Sequence, residues 1–498
     1  MPYAPLTGTA NDARNDHPFY GYLVPKEMLK EWSLIMGKAG GLILILGAII
    51  LIALVPWIFI LIGNLDLDIG LDFLSSTEQP IPEIILPTAT PPPTPAPTPA
   101  VVPEATPAPA LEEIIIAIAS EFPEVYEELN EIASQYNAVA VSLTAFDGNT
   151  GEYFTYEFGY ADTEARRHVD TDTKFRIASL AKLTTVICAM VLVDDGLIDL
   201  DTDISIYLGY EVVNTNFPGD AITTRMLMQH TSSIFDSGAF QTSRDRNTSE
   251  SIRFLLERGS SFRISSRPGT DFEYTNFGYS VLAAVCENVA GVSLDAFARE
   301  VLFDPLGIDA SYVLANQRDK ENIAVIYNDR HLVTFSLEEQ LAIEESGLLG
   351  HDLHLAQGNL TISTIDYARI LAMLGNGGVY NNVRILSPAS VRAIHDTNVE
   401  GAAYRQGLAT RFSVGDFILD EGFFWHTGSA YGTFSQYIYT HAANSNRGIV
   451  VVTTGAMSER DTNGMVSLCT DMSAVLWFEL WLGGRDNDSD ENDDDSDD

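Results

Sequence analysis

Residues 39 to 63, AGGLILILGAIILIALVPWIFILIG, run without a single charged side chain. As a helix rising about 1.5 Å per residue they outspan the roughly 30 Å hydrocarbon core of a bilayer, which predicts one transmembrane helix. The run is too long for the apolar core of a cleaved signal peptide. A polar stretch precedes it and no small-x-small site follows, so it is expected to stay in place as an anchor. Lys26, Lys30 and Lys38 lie before the span, and no Lys or Arg occurs from Ala39 to Ala165. Basic residues are retained on the cytoplasmic side, so residues 1–38 are expected inside the cell membrane and the bulk of the chain outside.

After the span comes a Pro- and Thr-rich linker, 64–110, centred on TATPPPTPAPTPAVVPEATPAPA. Proline fixes φ and removes backbone donors, so an extended polyproline II spacer is expected, reaching up to roughly 100 Å between Glu78 and Ala110 at about 3.1 Å per residue. That leaves residues 111–484 for a folded domain. The end, RDNDSDENDDDSDD (485–498), is expected as a solvated, disordered acidic tail, with calcium binding the minor alternative. Formal net charge is −41, and nine of the acidic residues lie from Asp486 onward. A surface of that sign repels nucleic acid, so no nucleic-acid partner is expected. The only cysteines, Cys188, Cys286 and Cys469, sit in apolar runs, which predicts buried free thiols rather than a disulfide scaffold.

Within the domain, LEEIIIAIASEFPEVYEELNEIASQYN (111–137) has apolar residues at helical spacing with one proline interruption, and is expected as a helix. AVAVSLTAFDG and YFTYEFGYAD read as strands around the turn DGNTG, a hairpin. Helical patterns and loops fill about Ala178 to Ala402. Strand patterns return in GFFWHT, FSQYIYTH and GIVVVTTG. GMVSLCTDMSAVLWFELWL closes the domain as a helix whose Asp471 and Glu479 argue against a second span. The fold class implied is α+β: an antiparallel sheet built from both ends of the domain and flanked by N- and C-terminal helices, plus a mainly helical lobe, with a cleft where the two meet.

TKFRIASLAKLTT (173–185) places Ser179 and Lys182 three apart at a helix start, on one face. A serine hydroxyl is a poor nucleophile until a base takes its proton, and an amine serves as that base only where its neutral form is favoured. Tyr274-Thr275-Asn276 follows in GTDFEYTNFGYSVLA, and His426-Thr427-Gly428 in FFWHTGSAYGTFSQY. With S-x-x-K, Y-x-N and a K/H-T-G triplet in that order, the chain resembles the serine β-lactamase and penicillin-binding protein superfamily, especially the branch of class C β-lactamases, DD-carboxypeptidases and related esterases. RMLMQHTSSI, QGNLTISTIDYARILAMLGNGG and RILSPASV are further family-like strings. The resemblance spans about residues 135 to 482 and covers neither anchor nor linker.

The resemblance implies a β-lactamase/transpeptidase-like fold and an acyl-enzyme on Ser179, with Lys182 and Tyr274 as proton carriers. Which of the two is the acylation base stays open, as does whether Lys182 or His426 favours an anionic Tyr274. Asn276 would hold Lys182 and a substrate amide. His426, Thr427, Gly428 and Ser429 would line the substrate site. The N–H groups of Ser179 and Ser429 would form the oxyanion hole, Thr427 would bind a substrate carboxylate, and Gly428 would admit a substrate backbone. No cofactor and no metal is expected, since His351 and His354 lack a third ligand at a familiar spacing.

Two positions depart from the family's pattern. His426 stands where β-lactamases of this branch have lysine, as in certain DD-peptidases, and an unperturbed histidine is largely neutral above about pH 6.5. Ser233, in His230-Thr231-Ser232-Ser233, stands where glycine is usual, in a motif read as structural. Arg411 is either a carboxylate ligand or an ordinary strand arginine, and Asn247 opens a glycosylation sequon.

The expected function is a membrane-anchored, extracytoplasmic serine hydrolase, DD-carboxypeptidase-like on peptidoglycan peptides. An esterase on small acyl substrates or a β-lactamase would use the same residues. Alternatives of another class are a β-lactam sensor, opposed by the mere 38 residues before the span, and a non-catalytic cell-wall-binding module, opposed by the intact Ser, Lys, Tyr, Asn and Thr set.

Overall fold

The computed structural model describes residues 115–118, 122–245, 252–400, 404–414, 422–441, 445–461 and 464–482. The apolar run 39–63, the linker, the sequon at Asn247 and the acidic tail lie outside them. Among the described residues no single helix is long and apolar enough to cross a membrane.

The sheet strands, in chain order, are β1 (Ile115–Ile118), β2 (Ala140–Asp147), β3 (Glu152–Asp162), β4 (Arg167–His168), β5 (Val399–Glu400), β6 (Arg405–Gln406), β7 (Arg411–Ser413), β8 (Phe423–Ala430), β9 (Thr433–Tyr439) and β10 (Arg447–Thr454). They lie side by side as β1-β3-β2-β10-β9-β8-β7-β6-β5, with β4 beside β3. The early hairpin β2–β3 thus joins the late meander β8–β9–β10 through the β2–β10 ladder. Every ladder in this sheet is antiparallel except β1 on β3.

β1 corrects the helix expected over 111–137. Ile115–Ile118 runs parallel to Glu152–Thr155, and helix α1 spans only Pro123–Gln135, with Pro123 in its first turn. A short isoleucine-rich run has no period that separates helix from strand, and β-branched side chains suit the pleated surface.

The other long helices among the described residues are α2 (Ala181–Asp194), α3 (Phe277–Ala290), α4 (Thr364–Gly375) and α5 (Ser467–Trp481). Side chains alternate across β2, which is buried at every position. Val141, Leu143 and Ala145 enter a core with Leu129 of α1 and Cys469, Leu476 and Trp477 of α5. On the opposite face the hydroxyls of Ser142 and Thr144 each lie 2.8 Å from the Thr364 hydroxyl of α4, so these three buried hydroxyls are satisfied. Phe146, Val450 and Val452 continue into the larger core of the helical lobe.

That lobe, inserted between β4 and β5, centres on α2 and α3. Both helices are buried along almost their whole length, which is why their sequences are apolar on nearly every side. Cys188, Cys286 and Cys469 are buried free thiols, and burial pushes Cys188 up to about 12. At the sheet's far side β7 pairs with β8 only over Phe423–Trp425. His426–Ala430 therefore keep an edge with no strand partner among the described residues, against the turn that precedes α2.

Candidate active site

Ser179 lies in a single tight turn, Ala178–Leu180, between the short strand Phe175–Arg176 and α2. Ala178 holds φ at +50°, a left-handed conformation uncommon for a residue with a side chain. Glycines let the turn pack. A Cβ on Gly428 would come within 2.6 Å of the Ile177 carbonyl oxygen and 3.1 Å of the Ser179 nitrogen, and one on Gly358 within 3.2 Å of the Ala178 carbonyl carbon. Ser435 of β9 donates to the Ile177 carbonyl at 2.7 Å. Gly428, expected to admit a substrate backbone, is thus required by the backbone of the serine turn itself.

Two groups converge on the half-buried Ser179 hydroxyl: Lys182 Nζ at 3.2 Å and Tyr274 OH at 2.9 Å. Lys182 is wholly buried, and its Nζ also donates to Asn276 Oδ1 at 2.9 Å and the Gln357 carbonyl at 2.7 Å. The same nitrogen stands 5.0 Å from the centre of the Tyr274 ring. Either carrier, once deprotonated, is placed to take the serine proton.

Asp236, which sequence reasoning passed over, organises the start of α3. Its Oδ1 accepts from Thr275 Oγ1 at 2.9 Å, Asn276 N at 2.7 Å and Phe277 N at 2.8 Å, and its Oδ2 from Asn276 Nδ2 at 2.8 Å. By engaging the NH₂ group, Asp236 leaves the Asn276 carbonyl oxygen for Lys182. His230 Nδ1 accepts from Thr275 N at 3.2 Å, which puts the ring proton on Nε2. Burial first, then the charges of Lys182 and Arg411, hold this imidazole well below its ordinary range. Its ring lies 4.5 Å from that of Tyr274. The His230–Ser233 string therefore helps to position the Tyr274–Asn276 segment. Ser233 has φ +63°, the conformation that glycine adopts without cost.

On β8, His426 is buried, and its Nδ1–H donates to the Thr427 carbonyl at 2.7 Å. That leaves Nε2 as an acceptor, buried and without a partner. Burial, then Arg411 and Lys182, depress its pKa well below the usual value, so the ring is neutral. The cations beside Tyr274 are instead Lys182 and Arg411, whose guanidinium stands 5.9 Å from the Tyr274 ring, 4.5 Å from Tyr404 and 5.0 Å from Trp425. Arg411 Nε is buried with no hydrogen-bond partner. The His426 ring lies 6.2 Å from that of Tyr274, which together with the Gly428 contact sets β8 against the serine turn. Half-buried Thr427 and exposed Ser429 lie on the open edge. Among the described residues no group of three or more His, Cys, Asp or Glu is placed to hold a metal.

Residues 122–467, more than half of the chain, match the family described as Beta-lactamase. The chain is 26% identical over 251 residues to a penicillin-binding protein of Bacillus subtilis (strain 168), covering 48% of this chain and 52% of that protein, so it spans about half the length of that relative. It is 27% identical over 375 residues to penicillin-binding protein 4 of Amycolatopsis lactamdurans, covering 71% of this chain and 89% of that one. A solved β-lactamase/D-alanine carboxypeptidase from Pseudomonas syringae shares the fold with TM-score 0.55 and 17% identity, covering 71% of this chain and 98% of that chain. The chain belongs to the β-lactamase family, within the superfamily of serine β-lactamases and penicillin-binding proteins, and has its α+β fold.

Proposed function

We propose that this serine hydrolase works through an acyl-enzyme on Ser179 and acts as a DD-carboxypeptidase on peptidoglycan peptides, held outside the cytoplasm by a single span at 39–63. The observation that carries the reading is the convergence of Lys182 Nζ, at 3.2 Å, and Tyr274 OH, at 2.9 Å, on one serine oxygen. Ser179 Oγ attacks the carbonyl carbon between the two D-alanines while its proton passes to whichever carrier is unprotonated. The carbonyl oxygen becomes an oxyanion facing the N–H groups of Ser179 and Ser429, the former at the positive end of α2. Collapse breaks the C–N bond as the proton moves to the departing amine. Water then hydrolyses the serine ester by the same relay in reverse.

The open edge of β8 suits an extended peptide laid alongside it. Arg411, with its unpartnered Nε, and Thr427 suit the terminal carboxylate of that peptide, a group that a simple ester lacks. The names of the penicillin-binding relatives support the same choice, whereas the Pseudomonas syringae neighbour is named for both β-lactamase and D-alanine carboxypeptidase.

The test is D-alanine release from an acyl-D-Ala-D-Ala peptide by the full chain. Release is expected, with loss in Ser179→Ala. Hydrolysis of a short-chain ester with no D-alanine release would make the protein an esterase instead, and rapid turnover of a chromogenic cephalosporin a β-lactamase.

A further inference from the structure

Arg176 lies three positions before Ser179 and is only 9% exposed. Its guanidinium carbon stands 5.1 Å from the centre of the Phe335 ring and 4.9 Å from that of Tyr431, and the two rings are 5.2 Å apart. Nε donates to the Gly358 carbonyl at 3.2 Å, while Nη1 is buried with no hydrogen-bond partner. Burial lowers the guanidinium to about 10, offset in part by the Tyr431 hydroxyl and by no carboxylate among the described residues. Taking a cation out of water without an opposing charge costs several kcal/mol. An apolar side chain of similar length would fill the same space without that cost. Groups held against the stability of the fold belong, as a rule, to its site.

The contacts indicate which part of the site. Gly358 follows Gln357, whose carbonyl receives Lys182, and its backbone lies against Ala178, the residue that turns the chain into Ser179. Tyr431 is at the tip of the β8–β9 hairpin, two positions beyond Ser429, and its carbonyl accepts from the Thr334 hydroxyl. One buried side chain therefore touches both the segment that holds the lysine and the hairpin that carries Ser429. A planar guanidinium can lie against an aromatic pair and donate in its own plane at once, which an ammonium cannot.

We propose that Arg176 is a positioning residue: held against the Phe335–Tyr431 ring pair, it sets the spacing between the lysine side of the site and the β8 edge, and so aligns the Ser429 N–H on the oxyanion. The role rests on Ser179 being the acylated residue.

The experiment measures the acylation rate of the full chain by a fluorescent penicillin, with thermal unfolding followed in parallel. Arg176→Met is expected to unfold at the same or a higher temperature, yet to acylate roughly tenfold or more slowly, because a misplacement of about 1 Å at a reacting centre costs up to about 10²-fold. Arg176→Lys is expected to remain slow. Tyr431→Ala, at a position 55% exposed, should slow acylation without touching the core, and decides alone should Arg176→Met fail to fold. The double variant should be no slower than the slower single variant, since both break one contact. A wild-type chain that labels at Ser179 while Arg176→Met or Tyr431→Ala acylates at the wild-type rate overturns this role alone, as do losses that multiply in the double variant. A wild-type chain that does not label at Ser179 overturns the acyl-enzyme reading beneath it.

Discussion

The two sides of the candidate site are held by different means. On the lobe side, polar contacts close on one another: Asp236 accepts four hydrogen bonds, Asn276 and Gln357 receive Lys182, and His230 accepts a backbone N–H. On the sheet side, β8 is held by fit, with Gly428 seated on Ile177 and Ser179, while His426 Nε2 and Arg411 Nε are buried and unpaired. Closed networks fix reacting groups before anything binds. Buried unpaired polar atoms are costly unless a ligand completes them. On the proposed reading the lobe side moves protons and the sheet side waits for substrate. His230 Nε2 and Arg176 Nη1, also buried and unpaired, are exceptions to this division.

The division breaks most visibly in rates. Lys182→Gln and Tyr274→Phe should each slow acylation by roughly 10²–10⁴-fold, the usual weight of a proton carrier, on any acyl donor. Arg411→Gln should instead raise KM for a carboxylate-terminated peptide far more than it slows a short neutral ester. Stopped-flow acylation with both substrates separates the cases, and equal losses on the two substrates for Arg411→Gln would erase the distinction between the sides.

Stability sharpens the comparison at smaller scale. Asp236→Asn opens the lobe-side network and should cost about 1–3 kcal/mol in urea unfolding. Gly428→Ala should cost a similar amount, about 1–3 kcal/mol, by overpacking against backbone atoms, and should also slow acylation because Ile177 and Ser179 must shift.

His426 gives the sheet side a pH signature. Its folded-state pKa is depressed by burial, whereas in the unfolded chain it titrates near 6.5. Below that value the unfolded state binds the extra proton, so the wild type loses stability as pH falls. Relative to His426→Gln, the wild type should lose about 1.4 kcal/mol per pH unit below about pH 6.5, a difference that unfolding curves between pH 5 and 7 would show or refute. The smallest effect is expected at Ser233. Replacement by glycine relieves a left-handed φ but removes the hydroxyl that accepts from Asn214 at 3.1 Å, so unfolding should shift by no more than about 1 kcal/mol.

The same division explains what could be read from the chain alone. Ser179 with Lys182, Tyr274 with Asn276, and His426 through Ser429 are marked by residue type at fixed local spacing. Asp236 has no such mark, because it reaches Asn276 only after a 40-residue excursion of the chain. Gln357 acts through a carbonyl that every residue possesses, and Arg176 through rings far away in sequence. The hairpin β2–β3 was legible because two runs rich in β-branched and aromatic residues flank the turn DGNTG. β1 was not, since Ile115–Ile118 is too short to show a period and its partner strand lies far along the chain. The packing of Gly428 on the serine turn was not legible, because the backbone that crowds it comes from the opposite end of the domain.

The most direct test of the central claim is peptide mass mapping of the full chain after reaction with a penicillin. One adduct is expected, on the peptide that contains Ser179, and none in Ser179→Ala. An adduct on another residue, or labelling that survives the substitution, would contradict it.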